Sequence, residues 1–182
     1  MEGAGKFVLA ILTRVQPEWP AIVAELRGIL QEPLDALDDV WTQFEFAMAV
    51  VAVEMQALPN LLPADQARRI RQHVLTCLRT PNVGPAKIEA VEAYEQAWTK
   101  AMADAELPFG SVAALLCERA GIRGAPVELG GVHYQDPLLL TALGTVVTTF
   151  AMGHWKNFLA GPVVTTGGGW WKNFLAAHRI VA

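Results

Sequence analysis

PLDALDDVWTQFEFAMAVVAVEMQAL, residues 33–58, is apolar over most of its length and carries no proline or glycine after Pro33. Pro33 occupies an early helical position, where a missing backbone N–H does little harm, and Asp35, Asp38 and Asp39 favour the positive end of the helix dipole. The stretch is therefore expected to be one long helix ending near Leu58. Two acidic residues, Glu45 and Glu54, interrupt its apolar part. Nine residues advance a helix by about 900°, which puts the two on opposite sides and rules out a carboxylate pair within the helix. Exposure, or ion pairing with a neighbouring arginine-rich helix, is the expected state of both.

On either side the chain continues as helices punctuated by proline and glycine. Phe7–Val15 forms a short helical candidate that the prolines of Gln16–Pro20 are expected to break. Ala21–Leu30 resumes with Ile22, Val23, Leu26, Ile29 and Leu30 at helical spacing. After Pro59 and Pro63, residues 64–79 make a basic helix bearing Arg68, Arg69, Arg71, His73 and Arg79. A turn at Thr80–Pro85 leads into an acidic helix from Ala86 to about Ala105, with Glu89, Glu92 and Glu95 at spacings of three. The two helices are suited to lie side by side. Ser111 is placed to cap a shorter helix through Ala120 that Gly121 ends. Ile122–Pro137 changes texture to Gly, Pro and β-branched residues and reads as a loop or short hairpin. The fold class is all-α: a compact bundle of about six helices with an apolar, weakly basic C-terminal segment.

Composition bounds the rest. With 182 residues the chain is long enough to bury a core without metals or disulfides. Hydrophobic residues make up 53% and charged residues 18%, so part of the surface must be covered or carried by alanine. A net charge of -4 argues against nucleic acid as the partner, because phosphate binding needs clustered cations. Cys77 and Cys117 match neither a zinc spacing nor a disulfide framework and read as reduced, buried thiols. Lys6 and the apolar run Phe7–Leu12 faintly resemble a secretion signal, but Arg14 interrupts the run and no small-residue cleavage site follows. A cytoplasmic location is expected. No motif calls for a cofactor.

The C-terminal part holds a tandem duplication. Residues 144–160 and 161–176 share twelve of sixteen aligned positions when one gap is placed opposite Phe150, and both end in Trp-Lys-Asn-Phe-Leu-Ala. Two units of this length are too short and too few for a solenoid. The first copy is expected to belong to a helical domain spanning residues 1–160. The second forms an extension, 161–182, in which Pro162 and Gly167–Gly169 make continuous helix costly. All 18 acidic residues lie at or before Asp136, where the chain carries a net -7, whereas the last 46 residues carry +3.

Candidate sites follow from these patterns. Trp155, Phe158, Trp170, Trp171, Lys172 and Phe174 combine aromatic bulk with positive charge and read as a partner-binding segment, for a protein partner or a second copy of the chain. Attachment to a membrane surface is an alternative for the same residues, whereas the apolar run 138–153 falls short of the roughly 20 residues of an ordinary span. His133, Tyr134 and Asp136 form the best cluster for acid-base chemistry and mark a second alternative, a small-ligand enzyme or carrier. Against it, no recognisable nucleophile accompanies them, and Asp136-Pro137 is itself a helix start. His73 and Cys77, four apart, share a helical face with spacing suited to two metal ligands. Two ligands do not complete a site, and a partly buried histidine beside a core cysteine is expected instead. The leading reading is a non-enzymatic binding or assembly protein.

Overall fold

A computed structural model describes residues 2–30, 34–60, 62–79, 85–124, 127–129 and 132–151. It is built round one enclosed helix, α2 (Val40–Ala57). Every side chain from Phe46 to Met55 is buried, as expected of a helix that is apolar on all sides. Around it stand α1 (Glu2–Leu30), α4 (Pro85–Ala103), α5 (Pro108–Ala120) and α6 (Pro137–Ala151), while α3 (Ala64–Leu78) packs on α1 and α4. The all-α bundle of six helices is the architecture of the described residues.

α2 starts later than the sequence suggests. Asp39 is its cap: the Asp39 carboxylate accepts the Trp41 N–H at 2.8 Å. Asp35–Asp38 instead form a short 3-10 turn that drives Leu34 and Leu37 into the core. Side chains satisfy the turn's carbonyls, with Trp19 Nε1 donating to Leu37 O at 3.1 Å and Thr42 Oγ1 donating to Ala36 O. Two buried leucines thus outweigh the dipole preference that would have wound the aspartates into the helix.

α1 is one continuous helix with Pro17 and Pro20 inside it, not two helices separated by a break. Each proline removes one N–H donor, but both prolines and Gln16 are exposed, so water can reach the backbone there. The opposite face stays in register across them: Phe7, Val8, Ile11, Val15, Trp19, Ile22, Val23 and Leu26 are all buried. At about 1.5–3 kcal/mol for each large side chain buried, that stripe exceeds the roughly 3 kcal/mol cost of an interior proline.

α5 begins at Pro108, in the first turn, rather than after a Ser111 cap, because a proline there forfeits no helical hydrogen bond. It ends as expected at Gly121, whose φ of 68° is open to glycine. Ile122–Pro137 contains a two-stranded hairpin: β1 (Val127–Leu129) pairs antiparallel with β2 (Val132–Tyr134). Asp136 then opens α6, its carboxylate accepting the Leu138 N–H at 2.8 Å.

α6 contains Gly144–Thr149 of the first repeat copy as helix, despite its β-branched run. Thr141, Thr145, Thr148 and Thr149 each donate a hydroxyl to the carbonyl four residues back, at 2.7 Å, which lets them sit in a helix without orphaned groups. Gly144 is where α6 touches α5. A Cβ added there would stand 2.7 Å from the Phe109 carbonyl oxygen, a backbone atom with little freedom to retreat. Elsewhere in a helix a glycine-to-alanine change gains up to about 1 kcal/mol; Gly144→Ala is expected to lose about 1–3 kcal/mol through overpacking, read as a lower denaturation midpoint in urea.

Among the described residues no helix is long and apolar enough to cross a membrane. The second repeat copy, the end of the first, and the boundary expected at residue 160 lie outside the described residues.

Candidate functional site

Burial and charge coincide on the inner faces of α2, α4 and α5. Glu45, from α2, is 0% exposed. Its Oε2 accepts from the Tyr94 hydroxyl of α4 at 2.8 Å and from Arg119 Nε of α5 at 2.9 Å. Arg119 also faces the exposed Glu89 carboxylate at 3.6 Å. Neither expectation for Glu45 holds: it is buried, and its cation comes from α5, not from the arginine-rich α3. The physical reason is the enclosure of α2 from Glu45 to Met55, which leaves no solvent-facing side for a carboxylate there.

The electrostatics follow from that geometry. The hydrogen bond to Glu45 raises the Arg119 pKa further. Burial, with the Glu45 carboxylate beside it, holds the Tyr94 hydroxyl protonated far above the phenol range. Glu45 Oε1 is buried and accepts no hydrogen bond among the described residues. The cluster therefore ties three helices together through one oxygen. The Glu45 carboxylate has no solvent access, and its contacts are with Tyr94 of α4 and Arg119 of α5. Tyr94→Phe, which removes one donor and little volume, is expected to cost about 1–2 kcal/mol, measured by equilibrium denaturation.

A second ion pair joins α3 to α4, as the opposite charges of these helices imply. Arg71 grips the buried Glu95 with Nε and Nη2, a bidentate geometry, and this contact raises the Arg71 pKa. Beside it an open groove of about 660 Å³ has Gln56, Glu92, Gln96 and Lys100 in its lining. The other α3 arginines, Arg68 and Arg69, are exposed, with Arg69 held to Asp65 at 2.6 Å within the helix.

Glu54, the second carboxyl of α2, is 2% exposed, again against the expectation of exposure or pairing with α3. Burial pushes its pKa up to about 9, and the positive charge of Arg14 on α1 offsets part of that rise. Arg14 itself lies with its guanidinium 4.5 Å from the centre of the Phe150 ring.

The sites read from sequence are placed unevenly. His73 is exposed on α3, not partly buried, and Cys77 is half-buried one turn on; among the described residues no group of three metal-ligating side chains converges. Cys77 and Cys117 are not joined in a disulfide, and burial pushes the Cys117 thiol up to about 12. His133 and Tyr134 pair along the hairpin with Glu128 and Val127, and their side chains lie outside the described residues. The Asp136 carboxylate caps α6. Trp155, Phe158, Trp170, Trp171, Lys172 and Phe174 lie outside the described residues.

Sequence reading missed Tyr94 and Arg119 as partners of Glu45. A carboxylate inside an apolar run is a usable signal that a cation is needed, but the cation lies 74 residues away. With this geometry in hand, comparison with known proteins adds nothing: no family model, curated protein or solved structure matches the chain.

Proposed function

We propose that the protein is a non-enzymatic helical binding or assembly protein whose contact element is the aromatic, acid-free C-terminal segment. One observation carries the reading: the chain divides its chemistry at Asp136. All acidic residues lie at or before it, and beyond it stand Trp155, Phe158, Trp170, Trp171 and Phe174 with only Lys156, Lys172 and Arg179 for charge. Aromatic bulk at low charge density is the composition of interface cores.

Two features of the bundle support it. Ion pairs made by buried carboxylates join its helices, at Glu45 with Arg119 and at Glu95 with Arg71, as supports of a scaffold would. α6 packs against α1, α2 and α5 up to Ala151, which is 2% exposed, so the segment that follows is tethered to a firm base. The partner is a second copy of the chain or another protein with an apolar surface bearing acidic groups.

Light scattering coupled to size exclusion tests this, comparing the full chain with a Trp170→Ser, Trp171→Ser, Phe174→Ser variant. The variant is expected to lose self-association, or capture of its partner, while keeping the helical content and melting transition of the parent. Unchanged assembly and unchanged partner capture would sink the reading.

A further inference from the structure

Between α4 and α5 runs an open groove of about 680 Å³. Its apolar lining comes from Ala97, Ala101, Ala114, Leu115 and Ile122, and its charged lining sets Asp104, Glu106 and Glu118 against Lys100 and Arg123. Exposed apolar side chains lie close in sequence to residues of its lining. Met102 (60% exposed) and Leu107 (67%) flank the corner that carries Asp104 and Glu106. Leu138 (52%) follows three residues after Gln135, which lines the groove where the hairpin leads into α6. An occupant complementary to this surface has large apolar groups and a small excess of positive charge.

The chain itself contains such a segment. Trp170, Trp171, Lys172, Phe174 and Arg179 supply rings and cations with no acid among residues 170–179. Eighteen residues separate Ala151 from Trp170, and extended they reach about 60 Å at ~3.3 Å per residue. α6, whose 15 residues separate Ala151 from Gln135 of the groove lining, is only about 22 Å long. The tether is therefore long enough, and tethering raises the effective concentration of the segment to about the millimolar range.

We propose that residues 170–179 seat in the α4–α5 groove of their own chain, with the aromatic rings on the alanine, leucine and isoleucine lining and the cations toward Asp104, Glu106 and Glu118. The proposal rests on the reading of the tail as the contact element and adds where that element sits before a partner takes it. A partner then competes with the groove for the same side chains.

Hydrogen exchange by mass spectrometry on the full chain reads the seat directly. Amides of residues 170–179 are expected to exchange at least about tenfold more slowly than in a Glu106→Lys, Glu118→Lys variant, whose two changes are at exposed positions and leave the bundle intact. Cysteines placed at Ala114 and Phe174, in a Cys77→Ser background, are expected to form a disulfide at monomer mass. A disulfide at dimer mass overturns the proposal in favour of a second copy, and fast exchange with no cross-link overturns it outright. Protection of 170–179 in a chain that neither self-associates nor captures a partner would keep the seat and defeat the assembly reading, so the two fail separately.

Discussion

Arg119→Met is expected to lower the stability of the folded chain by about 3–5 kcal/mol, the range for breaking a buried ion pair by removing one partner. The loss comes from what is left behind. Glu45 stays 0% exposed with one oxygen that accepts no hydrogen bond among the described residues, and its other oxygen would keep, of the described partners, the Tyr94 hydroxyl alone. The sign is set by burial: Arg119 retains partial access to water, with 21% of its side chain exposed, whereas Glu45 has none. Adding Glu45→Met to Arg119→Met is expected to recover most of the loss, since a buried pair replaced by apolar groups of similar size is often neutral. The double variant still strands the Tyr94 hydroxyl, so adding Tyr94→Phe should return a further 1–2 kcal/mol, roughly the cost of a buried unsatisfied group. Urea denaturation of the four proteins checks the series. A loss below about 1 kcal/mol for Arg119→Met alone would mean that Glu45 reaches water or another donor, contrary to its enclosure.

That series also marks where reading a sequence stops. The helical character of α2 is legible in the apolar run of residues 40–58, but its enclosure is not, because Glu45 and Glu54 argue for an exposed side; the Gly121 stop, and a loop or short hairpin after it, are legible in local composition. Local signals misled at Pro17 and Pro20, where the prolines argue for a break; the spacing of Phe7, Ile11, Val15, Trp19, Ile22 and Leu26, which continues straight through them, decides the outcome. The same competition shifts the start of α2, because Leu34 and Leu37 gain more as core residues of a turn than Asp35 and Asp38 gain at a helix terminus. Contacts across the bundle are a different matter. Nothing local distinguishes Arg119 from Arg123, yet one holds a buried carboxylate and the other lines a groove. Gly144 likewise looks like the dispensable first residue of a repeat until the Phe109 carbonyl is found against it. The aromatic tail shows the reverse relation: its chemistry is plain in the sequence, and the seat proposed for it between α4 and α5 is visible only once the helices are assembled.

Glu54 supplies the second large effect, and it depends on pH. Burial raises its folded-state pKa from 4.5 to about 9, so the folded chain keeps this carboxyl neutral at pH values where the unfolded chain has released the proton. Below about pH 4.5 the group is protonated in both states and costs nothing by titration. As pH rises from there the unfolded state gains from ionising and the folded state does not, so stability falls by about 1.4 kcal/mol per unit until the folded group itself titrates near pH 9. Glu54→Gln removes that titration while keeping size and polarity. The variant is expected to gain on the parent by about 3 kcal/mol between pH 5 and pH 7.5, with little difference at pH 4. The magnitude is set against Arg14, whose positive charge favours the ionised form and already offsets part of the burial. Arg14→Gln should therefore leave the parent's slope at neutral pH unchanged but raise the folded-state pKa further, so that between pH 8 and pH 9 stability keeps falling at the full slope where the parent begins to level, while the Glu54→Gln background is nearly unaffected in its pH slope. Thermal or urea melts at half-unit steps from pH 4 to pH 9 measure both slopes; parallel curves for parent and Glu54→Gln would show that the carboxyl ionises normally and is hydrated in the folded chain.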